Sequence, residues 1–168
     1  MPESISRFLT SNWGNLASVI GLIVSAVSAI FARRASTAAM EAREAVLRRN
    51  VADDMAQARG LATDICTLVD AGKFESAIPF CSQLQNLTVY IQQRWQGKLE
   101  DSSRKKCAGA ATQLEGIHKV LGKFSRNSGS INAAAVERLV TSCRGVKLVF
   151  VEEEAIAIRT LDGGGNAG

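Results

Sequence analysis

A run of nineteen residues without a charged side chain, residues 14–32, limits most strongly what this chain can fold into. As a helix rising about 1.5 Å per residue, the run is about 28 Å long, close to the roughly 30 Å hydrocarbon core of a bilayer. Arg33 and Arg34 follow it directly. The sequence therefore predicts a transmembrane helix over residues 14–32, with the arginine pair as its stop.

The side chains of this run separate by size when they are projected onto a helix at about 100° per residue. Bulky residues cover most of one face and small residues the other. Small residues spaced four apart let two helices approach closely, and serine hydroxyls can bond across the contact. We therefore expect self-association; a conducting pore and an ordinary anchor are the two alternatives kept open. The predicted oligomer or pore face is Gly14, Ser18, Gly21, Ser25, Ser28, Ala29 and Ala32.

The charges beside the span predict its orientation. Five arginines follow it against only two glutamates, whereas Arg7 and Glu3 are the only charged residues before it. The positive-inside rule then places the C-terminal domain in the cytoplasm and residues 1–13 outside, with Trp13 at the headgroup boundary. We expect a single-pass protein of the cell's inner (plasma) membrane. The five arginines are Arg33, Arg34, Arg43, Arg48 and Arg49.

A secretory signal peptide is the competing interpretation of the same segment. Val27 and Ala29 would suit cleavage after Ala29. The segment before the run carries Arg7 as its only basic residue, and the apolar core is long for a signal, so stop-transfer is the better interpretation.

Composition predicts an all-α protein beyond the span. The chain is 46% hydrophobic but only 5% aromatic, with two prolines in 168 residues. Residues 33–162 are enough for one cytoplasmic helical bundle with a core of its own, and the glycine-rich tail 163–168 is expected to be disordered. The four cysteines show no paired spacing and fall on apolar stripes. We read Cys66, Cys81, Cys107 and Cys143 as reduced core residues of a cytosolic domain.

Four helical segments are expected, each with apolar residues at three- and four-residue spacing. The first is the predicted membrane helix, which continues to Gly72. The second is Phe74–Trp95, with Pro79 near its start, and the third is about Glu100–Phe124. A loop at 125–129 precedes the last helix, which Ser128 or Ser130 could cap. The predicted stripes are Met55, Ala58, Leu61, Ile65, Leu68 and Val69; Ile78, Cys81, Leu84, Leu87 and Ile91; Cys107, Ala111, Leu114, Ile117 and Leu121; and Ile131, Ala135, Leu139, Cys143, Val146 and Phe150.

Catalytic motifs are scarce. The single histidine, His118, is expected to be a surface or packing residue, and no nucleophile, phosphate-loop or zinc motif occurs. Consecutive Glu152, Glu153 and Glu154 point in different directions on a helix, so we expect a solvated face that pairs with Arg159 rather than a metal site. The sequence predicts a protein that is not an enzyme and holds no cofactor or metal.

Two basic groups on the third helix are candidate ligand or partner contacts. They could meet nucleic acid, a nucleotide messenger or an acidic protein, although ordinary solvated charges are the alternative. With aromatics at 5%, no stacking platform for single-stranded nucleic acid is expected. The two groups are Arg104, Lys105 and Lys106, and Lys119, Lys123 and Arg126.

Three segments together resemble small bacterial membrane effectors found beside anti-phage systems, in particular the accessory membrane protein of type VI CRISPR systems. The segments are the span from Ala17 to Ile23 with its arginine pair, residues 42–46 (Ala-Arg-Glu-Ala-Val), and residues 71–77 (Ala-Gly-Lys-Phe-Glu-Ser-Ala). The resemblance covers about residues 13–95.

This resemblance implies an oligomeric ring that depolarises the membrane when a partner nuclease complex detects phage. It also implies a cytoplasmic domain similar to HEPN domains, whose ribonuclease motif is an arginine followed four to six residues later by a histidine. The residues before His118 offer no such arginine, so ribonuclease activity is not implied.

The resulting hypothesis is a homo-oligomeric, non-enzymatic membrane pore or depolarising effector that contacts lipid and a defence nuclease complex. A membrane-tethered adaptor that recruits a cytoplasmic partner is the alternative from another class. A holin-like lysis protein fits less well, because it would not need so large a cytoplasmic bundle.

Overall fold

A computed structural model describes the backbone of residues 3–126 and 132–163, and the side chains of residues 17–126 and 132–160. Those residues form helices and no strands, which confirms the all-α prediction. The chain divides into two units, Met1–Ala45 and Val46–Gly168. The helices are α1 (Glu3–Asp70), α2 (Phe74–Arg94), α3 (Asp101–Arg126) and α4 (Ala133–Gly163).

The first unit is the N-terminal part of α1. Every side chain described between residues 17 and 45 is exposed. Within the described residues, α1 is the one helix long and apolar enough to cross a membrane, and its most apolar window is not buried by any other part of the chain. Helix α1 has no break after the predicted span, as the absence of proline and the many alanines predict.

The second unit is an antiparallel bundle of four helices, made by residues 46–70 of α1 with α2, α3 and α4. Phe74 at the start of α2 packs edge-to-face on Phe124 near the end of α3, with ring centroids 5.2 Å apart. Lys106 of α3 reaches the later half of α4 at Glu152, and Arg59 of α1 bonds Glu154 of α4. Short connections make sequential helices antiparallel neighbours in this way.

The bundle core follows the predicted stripes and also contains small residues that the stripes did not include. Ala77, Thr88 and Ala110 are fully or almost fully buried. Small side chains are buried where helices pack closely, and their bulkier neighbours then lie at the edges of the contact. Six predicted core residues are accordingly half-buried: Leu61, Leu68, Ile78, Leu87, Ala111 and Ala135. The other predicted stripe residues are buried, apart from Ile131, which lies outside the described residues.

The start of α4 is capped by Asn132. Its Oδ1 accepts a hydrogen bond from the backbone N–H of Ala134 at 3.0 Å, which satisfies one of the free donors at the helix N-terminus. The predicted caps Ser128 and Ser130 lie outside the described residues. Helix α4 extends to Gly163, and the remainder of the predicted disordered tail, 164–168, also lies outside them.

The turn from α1 to α2 depends on Gly72. Its backbone has φ +70°, and it donates its N–H to the carbonyl of Val69 at 3.0 Å, while Lys73 donates to Leu68 at 2.8 Å. This pair of bonds is the Schellman arrangement, which closes the last turn of a helix around a left-handed residue. Gly72 is therefore the helix stop that the sequence predicts.

Replacing Gly72 with alanine is expected to destabilise the bundle by about 1 kcal/mol, because a Cβ disfavours positive φ. The matched control is Gly60→Ala in the interior of α1, where an added Cβ meets nothing within 4 Å. That change should stabilise the helix by about 0.5–1 kcal/mol. Thermal unfolding of the detergent-solubilised protein by circular dichroism measures both. Equal melting temperatures for the two variants would contradict this account of the turn.

Candidate functional site

The small-residue face of the N-terminal part of α1 is the first candidate site. Ser18, Gly21, Ser25, Ser28, Ala29 and Ala32 are all exposed, as are the bulky residues opposite them. The side chains of Trp13 and Gly14, also predicted to act here, lie outside the described residues. Arg33 and Arg34 are exposed directly after the face. The structure therefore keeps the two-sided character of this helix, with neither side covered by the chain itself.

Two details of this face bear on close helix contact. The Ser25 hydroxyl donates to the carbonyl of Gly21 at 2.8 Å, so its proton is satisfied within the helix and its oxygen can still accept a bond. An added Cβ at Gly21 would meet no atom within 4 Å. Nothing packed against Gly21 within one copy requires it to be glycine.

Four of the six basic residues singled out on α3 bond to other groups of the chain. Arg104 Nη2 lies 2.6 Å from Asp101 Oδ1, and Lys119 Nζ lies 2.6 Å from Glu115 Oε1. That hydrogen bond from Lys119 lowers the pKa of the Glu115 carboxyl. The other two are Lys106, which bonds α4, and Arg126, whose Nε donates to the carbonyl of Gly122 at 3.1 Å.

Lys105 and Lys123 complete the predicted ligand set. Both lysines are exposed, and Lys123 lines a groove between α3 and α4. The structure does not gather the six residues at one point, since they divide between the two ends of α3. Ligand contact through them stays a prediction.

The acidic triplet on α4 is a correction to the sequence prediction. Glu153 is only 3% exposed and Glu154 is half-buried, so the three glutamates do not form a solvated face. Lys106 Nζ lies 3.0 Å from Glu152 Oε2 and 3.4 Å from Glu153 Oε1, and these bonds raise the pKa of the lysine. Arg59, rather than the predicted Arg159, bonds Glu154 at 2.5 Å. The triplet thus joins α4 to α3 and α1.

A cluster around Trp95 was not predicted from the sequence. Its ring is 2% exposed, and its indole N–H donates to Asp54 Oδ2 of α1 at 2.8 Å. The Arg94 guanidinium lies over the Trp95 ring, 4.7 Å from its centroid, and 3.7 Å from the same aspartate oxygen. Arg94 also donates to the Tyr90 hydroxyl. The pairing of a tryptophan with an aspartate 41 residues earlier has no periodic signal in the sequence.

An open groove of about 530 Å³ lies between the end of α3 and the start of α4. Ile117, Val120 and Leu139 give it an apolar floor, and Lys123 and Arg138 supply positive charge at its border. Apolar grooves with a few polar groups at the edge are the usual shape of a binding site. This groove is a concave surface of the bundle that could take a partner segment.

The histidine and the cysteines are packing residues of the bundle. His118 Nε2 lies 3.2 Å from the Ser82 hydroxyl of α2, as expected of a partly buried packing residue. All four cysteines are buried, as predicted. Burial raises the pKa of Cys81 and Cys107 to about 11 and that of Cys143 to about 12. Such thiols are largely protonated and unreactive at neutral pH.

The described residues contain no cluster of three or more metal-binding side chains.

In comparisons with known proteins, no family model, no curated protein and no solved structure matches this chain.

Proposed function

We propose that the protein is a homo-oligomeric pore of the bacterial inner membrane, in which several copies of α1 pack through their small residues and depolarise the membrane when the pore opens. The observation that carries this proposal is the first unit of the chain. It is a helix long and apolar enough to cross a bilayer, with small and bulky residues sorted onto different faces and every described side chain exposed. Lipid tails can pack against the bulky face of such a helix, whereas the small face packs closely only against another helix.

Orientation and setting are part of the same proposal. The arginines after the span favour a cytoplasmic bundle and an outside N-terminus. The sequence resemblance to membrane effectors of anti-phage systems supports a HEPN-like bundle, a role in defence and a nuclease complex as the trigger. The proposed activity is a physical change in the membrane rather than catalysis.

Ion flux tests the proposal directly. The purified protein is reconstituted into liposomes with a potassium gradient, and a potential-sensitive dye reports whether the gradient collapses. We expect collapse that increases with protein density and scattering masses above that of a monomer in detergent. An intact gradient together with a monomer mass would refute the pore.

The small face is tested by Gly21→Ile and Ser25→Leu. Each should weaken assembly by about tenfold, because a close helix contact of roughly 1–2 kcal/mol cannot form around the larger side chain. The lone helix has room for an added Cβ at Gly21, so an effect reports on assembly. Val27→Ile on the bulky face is the matched control. Unchanged oligomer size in both variants would count against the small face.

A membrane-tethered adaptor is the second candidate, favoured by the α3–α4 groove. Its apolar floor and positive border suit an apolar segment that carries acidic residues. Replacing residues 14–32 with an unrelated single-pass span separates the two functions. An adaptor keeps its function after the exchange, whereas a pore loses ion flux.

A further inference from the structure

The second half of α4 carries an apolar stripe that no other helix of the bundle covers. Leu148, Val151 and Ile158 are 57%, 38% and 44% exposed, and Ala155 between them is also exposed. They lie opposite the buried face of α4 that contains Val146 and Phe150.

The spacing of the stripe is that of a coiled-coil seam. Leu148 and Ala155 are seven residues apart, and Val151 and Ile158 each follow three residues later. These are the a and d positions of two heptads, which face a partner helix. Helix α4 has 31 residues and continues past both heptads, so the whole stripe lies on regular helix.

The charges beside the stripe specify the partner. Lys147 and Glu154 occupy the two g positions on one edge, and Glu152 and Arg159 occupy e positions on the other. In a parallel pair, each g residue faces the e residue five positions further along the partner. Lys147 then faces Glu152 of the second copy, and Glu154 faces Arg159, so both contacts join opposite charges.

The other arrangements fit less well. An antiparallel pair places g beside g and e beside e, so Glu154 would meet Glu154 and Glu152 would meet Glu152. A membrane surface favours a stripe with basic edges, whereas each edge here carries both signs. Within one copy, Lys106 bonds Glu152 and Arg59 bonds Glu154. Both carboxylates therefore have a fixed position before a second copy binds.

From this register we propose that α4 forms a parallel two-helix seam with α4 of a second copy, through Leu148, Val151, Ala155 and Ile158. The seam rests on the homo-oligomer proposed above but not on its conducting ions. It gives the bundle a contact between copies that is separate from the small face of α1.

Cysteine cross-linking tests the seam in the full-length protein in detergent. Val151→Cys should give a covalent dimer under mild oxidation, because a parallel seam brings the two copies of residue 151 together. Val89→Cys is the matched control, since Val89 is 46% exposed on α2 and outside the seam. The four native thiols are buried, and the parent protein serves as the blank. No dimer from Val151→Cys, or an equal yield from Val89→Cys, would overturn the seam.

The charge register has its own variants. Lys147→Glu with Arg159→Glu sets like charges against Glu152 and Glu154 of the partner, and should lower the cross-linking yield of Val151→Cys by about tenfold. Lys105→Glu, an exposed position of α3, is the single-charge control and should leave the yield unchanged. Equal yields in the double variant and the control would overturn the parallel register.

Two further measurements separate the seam from lipid contact and from the pore. A fluorophore on Leu148→Cys should not be quenched by nitroxide on lipid tails; quenching would assign the stripe to the bilayer and overturn the seam.

In the Gly21→Ile background the Val151→Cys cross-link should persist. In the protein that carries Val151→Cys alone, ion flux without the cross-link would refute the seam alone, and the cross-link without ion flux would refute the pore alone.

Discussion

Replacing Phe150 with alanine is expected to lower the free energy of unfolding of the bundle by about 3–5 kcal/mol. Phe150 is fully buried, with no exposed surface, in the core of the bundle. Truncation removes its apolar contacts and leaves a cavity that the surrounding core can fill only partly. Domains of this size are stable by only about 5–15 kcal/mol, so the variant should lose a large share of its stability.

The buried cysteines supply the measurement for Phe150→Ala. Burial raises their pKa values, so thiol reagents modify them mainly when the bundle opens. The labelling rate at pH 8 should increase by about two to three and a half orders of magnitude, the change in the open population that 3–5 kcal/mol implies. The control is Val89→Ala, exposed on α2, with an expected effect within about 0.5 kcal/mol. A parent-like labelling rate in Phe150→Ala would show that the core is not organised around this ring.

The extent of the helices could be predicted from the sequence. A period of 3.6 residues identifies each amphipathic segment, and Gly72 stops α1 where the left-handed φ requires it. The apolar run at residues 14–32 is equally direct, because bilayer thickness sets its length. Such features depend on residues close together in the sequence. The structure follows the predicted helices and their stop at Gly72, whereas the transmembrane span stays a prediction.

Contacts between helices could not be predicted in the same way. Periodicity gives the direction of a buried face but not which helix packs there, nor at what height along the axis. Glu153 is therefore buried although its neighbours in sequence are charged, because Lys106 of α3 lies at the same level. The same limit explains why Ala110, rather than Ala111, lies in the core. Trp95 and Asp54 depend on the register of α2 against α1, which no local pattern records.

Replacing Trp95 with alanine is expected to destabilise the bundle by about 3–5 kcal/mol, close to the effect of Phe150→Ala. The change removes a buried ring, the hydrogen bond from its indole N–H to Asp54 at 2.8 Å, and the surface on which Arg94 lies. Trp95→Phe separates these contributions, since it keeps most of the ring and removes only the donor. We expect it to cost about 1–3 kcal/mol, because the Asp54 carboxylate then loses a partner in a half-buried position.

A double-mutant cycle tests whether the indole and the aspartate act on each other. If the bond carries the effect, Trp95→Phe should cost at least about 1 kcal/mol less in an Asp54→Ala background than in the parent, since the unpaired carboxylate is then absent. Thiol labelling of the buried cysteines across a urea series gives all four free energies. Additive costs would mean that Trp95 stabilises the bundle by packing alone, and that the contact between the end of α2 and α1 is apolar rather than polar.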